Sequence, residues 1–251
     1  MPILHSVEFG SGPETIVFLG SLGSTTDMWL PQLDELSNTH RVIAIDHRGH
    51  GQSPVLVGPC TVADMADDVL ETLNSRGVEK FSVVGLSLGG AVAQYLAATC
   101  SRVDKAVFMC TAAKFGTSES WLERAAAVRE NGLPSIAGAI VDRWFSPGFL
   151  ATMPATTDLF FRMITSTSDE GYISACEALA EWDFRSRLGE ITVPALTIAG
   201  ADDPSTPPAI LQEIADGLSG PVRVEVLSPA AHVPTVERPS EVNRLLKEFL
   251  S

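Results

Sequence analysis

The sequence predicts an α/β protein: a mostly parallel central sheet flanked by helices, with a helical segment inserted between two of the strands. Three observations carry that expectation. Short apolar, β-branched runs recur along the chain and read as strands buried on both faces. Helical patterns with one apolar face alternate with them, which is how both sides of such a sheet become covered. Residues 112–188 break the alternation, because their pattern is helical throughout and includes Trp121, Trp144 and Trp182. The expected division is a core over 1–111 and 189–251 and a helical lid over 112–188.

The strand candidates, in order, are Thr15–Leu19, Val42–Ile45, Phe81–Val84, Val103–Met109, Ala195–Ala199 and Val222–Leu227. Each is short and bounded by Gly, Asp or Pro. Between the second and third, Thr61 offers a side-chain oxygen to open a helix, and Asp64 stands three residues on. Met65, Val69, Leu70 and Leu73 then share one face, and Gly77 fits the stop. After Leu88, the residues Val92, Tyr95, Leu96 and Thr99 fall at helical spacing. Pro239 opens a last helix whose stripe is Val242, Leu245, Leu246 and Phe249.

Composition narrows the class of function. The chain has 251 residues, 45% of them hydrophobic, enough to bury a sizeable core. Its 17 Lys+Arg against 31 Asp+Glu leave a net charge of −14. Without a basic stripe, neither nucleic acid nor an anionic membrane is an expected partner. No apolar run approaches the roughly 18 residues of a membrane span. Met1–Glu8 lacks the basic and apolar regions of a signal peptide, so a cytoplasmic location is expected. Cys60, Cys100, Cys110 and Cys176 form no C-x-x-C pair and are expected to be reduced thiols packed as small apolar groups. Neither a metal site nor a catalytic cysteine is expected. No segment signals an oligomeric state.

Gly85-Leu86-Ser87-Leu88-Gly89 matches G-x-S-x-G, between a strand and a helix. In that setting the serine stands on a tight turn that lifts its hydroxyl out of the sheet, and the two glycines leave room for the turn. Ser87 is therefore the candidate nucleophile. A serine needs a base, and the base an orienting acid, in the chain order Ser, acid, His on this kind of scaffold. Of His5, His40, His47, His50 and His232, only His232 follows Ser87. Between them, Ala195–Gly200 leads into Asp202 and Asp203. Asp203 has the reach to turn back towards His232, and Asp202 is read as its solvated neighbour. Asp169 and Asp183 fall in the helical segment and are poorly placed. Backbone N–H groups of Leu88, after the serine, and of Leu22, in the loop Gly20–Gly23, are the candidate oxyanion donors. His47, Arg48 and His50 are read as structural, holding the loop after Val42–Ile45.

These motifs, with Asp46-His47-Arg48-Gly49-His50-Gly51-Gln52-Ser53 and Glu237-Arg238-Pro239, resemble the α/β-hydrolase superfamily over nearly the whole chain. Within it the sequence resembles the 3-oxoadipate enol-lactonase family of bacterial aromatic catabolism. Ser21–Trp29 carries that likeness, as do Gly116–Trp121 and Arg143-Trp144-Phe145. Most relatives have a His-Gly pair in this loop; the absence of that His before the oxyanion donor is shared with the lactonases and leaves the backbone role of Leu22 intact. The resemblance implies a small anionic lactone as the partner molecule, opened through an acyl-serine without metal or organic cofactor. An anionic substrate on an acidic protein needs a local cation. Arg124 and Arg143 are the candidates, with Trp121 and Trp144 as flanking walls. A carboxylesterase, a carbon–carbon hydrolase or a cofactor-free haloperoxidase would use the same three residues. A small-molecule receptor on a hydrolase scaffold is the alternative of another class.

Overall fold

The apolar runs resolve into one seven-stranded sheet in the computed structural model, which describes residues 1–251. Its strands are β1 (Ser6–Phe9), β2 (Thr15–Leu19), β3 (Arg41–Ile45), β4 (Phe81–Leu86), β5 (Val103–Met109), β6 (Ala195–Gly200) and β7 (Val222–Leu227). They lie in the order β1-β3-β2-β4-β5-β6-β7, and only β1 runs antiparallel to its neighbour. From β2 the sheet grows through β3 on one side and through β4 on the other. That reversal leaves a crevice at the carboxyl ends of β2 and β4, where open α/β sheets take their ligands. Register makes the edge even: Leu19 pairs with both Ile45 and Gly85, Leu86 with Met109, and Gly200 with Leu227. The loops after these strands therefore open onto one rim.

Two strands depart from the apolar-run reading. Strand β1 lacks such a run because it is a half-exposed edge strand. Strand β7, expected to be buried on both faces, is largely half-exposed, with Val222 39% and Val226 47% accessible. It closes the opposite edge, with a neighbour on one side only, and its Arg223 and Glu225 pair with each other at 2.7 Å. The five interior strands, β3, β2, β4, β5 and β6, are the apolar ones, and they are almost entirely buried.

Helices α1 (Leu30–Leu36), α2 (Val62–Ser75), α3 (Leu88–Thr99), α9 (Pro208–Gly217), α10 (Pro234–Glu237) and α11 (Pro239–Leu250) accompany the sheet. Helix α2 starts at a reciprocal cap. Thr61 Oγ1 accepts the Asp64 N–H at 3.1 Å, and Asp64 Oδ2 accepts the Thr61 N–H at 2.8 Å. Its Val62, Met65, Val69 and Leu73 are buried. In α3, Val92 and Leu96 are buried, Tyr95 is half-buried, and Thr99 is exposed and turns its hydroxyl back to the Tyr95 carbonyl.

Five helices separate β5 from β6: α4 (Ser118–Asn131), α5 (Pro134–Trp144), α6 (Pro147–Thr152), α7 (Pro154–Thr165) and α8 (Asp169–Glu181). Aromatic contacts bind them to one another and to the rim. Trp144 and Phe145 meet Phe160 edge-on at 5.9 and 5.1 Å. Trp182 stacks on Phe184 at 4.9 Å and donates to the Ala112 carbonyl. No helix is long and apolar enough to cross a membrane. Removing the α2 cap with Thr61→Ala is expected to cost about 1 kcal/mol in urea unfolding, with Thr61→Ser close to native.

Candidate active site

Strand β4 ends by turning directly into α3, and Ser87 is the residue at the turn, with φ 57° and ψ −115°. A non-glycine residue in that region is strained, and it persists only where its surroundings fix it. Here the Ser87 N–H donates to the Met109 carbonyl at 3.0 Å, and the Thr111 hydroxyl donates to the Ser87 carbonyl at 2.7 Å. The flanking glycines are sterically required. A Cβ on Gly85 would stand 2.1 Å from the Gly89 carbonyl oxygen, and one on Gly89 would stand 2.0 Å from that of Leu19.

Asp203 leaves the end of β6, and His232 follows β7. The two loops are laced together by Ala201 N–H to the Leu227 carbonyl and Asp202 N–H to the Ala230 carbonyl, both 2.9 Å. His232 Nδ1 lies 2.7 Å from Asp203 Oδ2, with both side chains buried. The Thr206 hydroxyl donates to the same oxygen at 2.7 Å, and the Ser205 and Thr206 N–H groups donate to Oδ1 at 2.8 and 3.1 Å. Burial alone would raise the Asp203 carboxyl. The adjacent His232 and these donors outweigh it and hold the group at about 2. An ionised Asp203 takes the Nδ1–H, which leaves Nε2 with a lone pair. Asp202 is exposed, and Asp183 is spent on Arg185 and Lys114.

Ser87 and His232 line one cavity of about 540 Å³ together with Ser21 and Leu22. The serine hydroxyl makes no hydrogen bond to the imidazole in this geometry; such contacts commonly tighten only when substrate is bound. The N–H groups of Leu22 and Leu88 have no acceptor within the protein; Leu22 lines the cavity, and Leu88 is the buried residue directly after Ser87.

The loop that carries Leu22 is pinned from below. The Gly20 carbonyl accepts the Gly89 N–H at 3.0 Å and His47 Nε2 at 3.1 Å, which ties the loop to the start of α3. Asp46 accepts the Thr26 and Gln52 N–H groups and faces His5 Nδ1 at 2.8 Å. Arg48 pairs with Asp68 at 2.6 Å, and His50 Nδ1 faces the Arg48 carbonyl. These three residues are structural in their contacts, but His47 braces the candidate oxyanion loop, a link that sequence spacing does not reveal.

Trp121, Arg124, Arg143 and Trp144 also line the cavity. Arg124 is half-buried, its guanidinium 5.3 Å from the Trp121 ring centre and 5.5 Å from that of Tyr172. Tyr172, on α8, was not expected from the sequence, since nothing in its spacing from Arg124 marks it. Arg143 lies exposed at the rim. Neither arginine is paired with a carboxylate, although Arg41, Arg48, Arg76, Arg129, Arg162, Arg185, Arg187, Arg223, Arg238 and Arg244 all are. The only carboxylate on the cavity wall is the exposed Glu123.

One buried cluster has the donor types of a cation site: Cys110, Asp203 and His232, with ligating atoms within 4.8 Å. The Asp203–His232 hydrogen bond occupies the facing atoms, and burial holds the Cys110 thiol well above its usual range, so a thiolate ligand is disfavoured. All four cysteines are free thiols.

The α/β-hydrolase fold family matches residues 14–239. The chain belongs to that family. It is 36% identical to 3-oxoadipate enol-lactonase 2 of Acinetobacter baylyi, an alignment that covers 98% of this chain and 92% of that protein. The crystal structure of the enol-lactonase from Burkholderia xenovorans LB400 superposes with a TM-score of 0.95 at 33% identity, covering 98% of this chain and 96% of that one. A thermophilic esterase from Thermogutta terrifontis, solved with malate bound, superposes at 0.93 and 28% identity, covering 98% and 92%. As a member of this family, the chain is a hydrolase.

Burial, then the nearby His50, lowers His47 from an ordinary value of 6.5 to about 3. The unfolded chain binds the extra proton between those limits. This contribution to stability is therefore complete above about pH 6.5 and is lost as the pH falls towards 3. His47→Gln is expected to lose less of its melting temperature than the native protein between about pH 7.5 and pH 5. Parallel losses in differential scanning calorimetry would contradict a buried neutral His47.

Proposed function

We propose that this protein hydrolyses 3-oxoadipate enol-lactone to 3-oxoadipate, in the catabolism of aromatic compounds, with Ser87, His232 and Asp203 as nucleophile, base and orienting acid. The single observation that supports it best is the cavity itself, where Ser87 and His232, the latter bonded to the buried Asp203, line the same walls as two arginines that have no carboxylate partner. The likeness to enol-lactonases along the whole chain adds the substrate class.

His232 Nε2 takes the Ser87 proton as Oγ attacks the lactone carbonyl, and the Leu22 and Leu88 N–H groups meet the oxyanion. One such donor is worth about 3–4 kcal/mol in comparable enzymes. Collapse breaks the ring C–O bond, and the imidazolium returns its proton to the departing enol oxygen. That oxygen stays tethered to the acyl chain and could close the ring again. Tautomerisation to the ketone removes it as a nucleophile. Water, activated by His232, then attacks the acyl-serine and releases the acid. Every step is acid–base or nucleophilic work that these side chains perform themselves.

The acetate arm carries a negative charge into a protein of net charge −14. Arg124, oriented by the Trp121 and Tyr172 rings, is the receiving cation, and Arg143 at the rim is the first cation an incoming anion meets. Trp121 and Trp144 supply apolar walls for the flat ring. The helices over 112–188 act as the lid that keeps water from this pocket, and the enzyme works in the cytoplasm on the lactone, with neither nucleic acid nor membrane as a partner. The breadth of the cavity favours a second, slower activity on small neutral esters.

Ser87→Ala is expected to lower kcat at least about 10⁴-fold, and Asp203→Asn about 10⁴-fold with little change in KM. Arg124→Ala is expected to raise KM for the enol-lactone about 10- to 100-fold and to leave a neutral aryl ester nearly unaffected. Spectrophotometric assay of the enol-lactone beside aryl acetates reads all three. Many turnovers of lactone per protein are expected, whereas stoichiometric release with retained product would point to a receptor.

A further inference from the structure

Both residues that flank His232 are tied to the helices above the sheet. The Val233 N–H donates to the Trp144 carbonyl, the last residue of α5, at 3.1 Å. The Ala231 N–H donates to Glu237 Oε1 at 3.0 Å. The same oxygen accepts the Ser146 N–H at 3.1 Å, and Oε2 accepts the Ser146 hydroxyl at 2.7 Å. Ser146 joins α5 to α6 and also caps α6 through Phe149 N–H at 3.4 Å. A single carboxylate thus receives donors from the histidine loop and from the end of the helix that carries Arg143 and Trp144.

Glu237 has no cationic partner. Its neighbour Arg238 pairs with Glu241 instead. A half-buried carboxylate without a cation is costly unless donors satisfy it, and here three neutral donors from two separate segments do so. That arrangement makes little sense for solvation alone, because an exposed glutamate at the end of the short α10 would need none of them.

We propose that Glu237 is a positioning residue for His232, a clamp that sets the imidazole relative to the end of α5 so that the base is aligned only when that helix end is in place. The inference rests on the reading of His232 as the base. It assigns a role to the Glu237-Arg238-Pro239 segment that the mechanism leaves unused. A displacement of about 1 Å at a reacting group costs on the order of 100-fold in rate. The clamp acts through geometry and not through charge. A glutamine can keep all three contacts, accepting both N–H groups on its oxygen while its amide donates to the Ser146 hydroxyl.

The test uses steady-state hydrolysis of a neutral aryl acetate, with thermal midpoints measured in parallel. Glu237→Leu is expected to lower kcat on the order of 10- to 100-fold with KM within about 3-fold of native. Glu237→Gln is expected to stay within about 3-fold of native in kcat. Ser146→Ala is expected to lose less than Glu237→Leu and to add nothing in the double variant, because both break one clamp. Ser146→Thr, which keeps the hydroxyl, is expected to rescue and covers the case in which Glu237→Leu does not fold. A folded Glu237→Leu with native kcat, a loss shared equally by Glu237→Gln, or losses of the two sites that multiply would overturn the proposal. Undiminished turnover in His232→Gln would instead overturn the reading of His232 as the base, which separates the two failures.

Discussion

The site depends on one strained turn. Ser87 holds a positive φ because β4 hands the chain to α3 without a connecting loop, and because Gly85 and Gly89 let backbone pass where a Cβ would strike it. The strain is supported from three directions. Met109 and Thr111 at the end of β5 take its backbone groups, and the Gly20 carbonyl after β2 takes the Gly89 N–H. The second candidate oxyanion donor sits two residues beyond that same Gly20. The proposed nucleophile and the candidate oxyanion loop are thus parts of one hydrogen-bonded joint, built where the sheet reverses its direction of growth.

Electrostatics completes what the backbone begins. The Asp203–His232 pair is buried and surrounded by donors, so the carboxylate stays ionised far below neutral pH and fixes one imidazole tautomer. The arginines on the cavity wall follow the opposite logic. Elsewhere in this acidic chain most arginines are matched by carboxylates, but in the cavity the partners of Arg124 are the faces of two aromatic rings, which orient the cation without neutralising it. An anion can then supply the missing charge.

Much of this was legible in the amino-acid sequence, and what escaped did so for physical reasons. The apolar central strands, the α2 cap and the serine turn are written in local spacing, and so are the loops that carry Asp203 and His232. Strand β1 escaped because an edge strand half open to solvent needs no apolar run. Strand β7 carried such a run and yet is largely half-exposed at the other edge. Tyr172, His47 and Glu237 act on residues distant in sequence: Tyr172 under Arg124, His47 under Gly20, Glu237 against Ser146. Their partners exist only once the helices over 112–188 and the rim loops have folded together. Local pattern finds the residues whose own backbone makes the site and is blind to those that act through another segment.

The central claim, that Ser87 opens the lactone as a covalent nucleophile, is tested most directly by rapid acid quench of the enzyme with 3-oxoadipate enol-lactone, followed by mass spectrometry of the peptide that contains Ser87. Ring opening releases no fragment, so the expected result is an adduct on Ser87 equal to the whole mass of the lactone, formed and lost within the time of one turnover. Rapid turnover with no adduct at any quench time, or with the adduct on another residue, would contradict it.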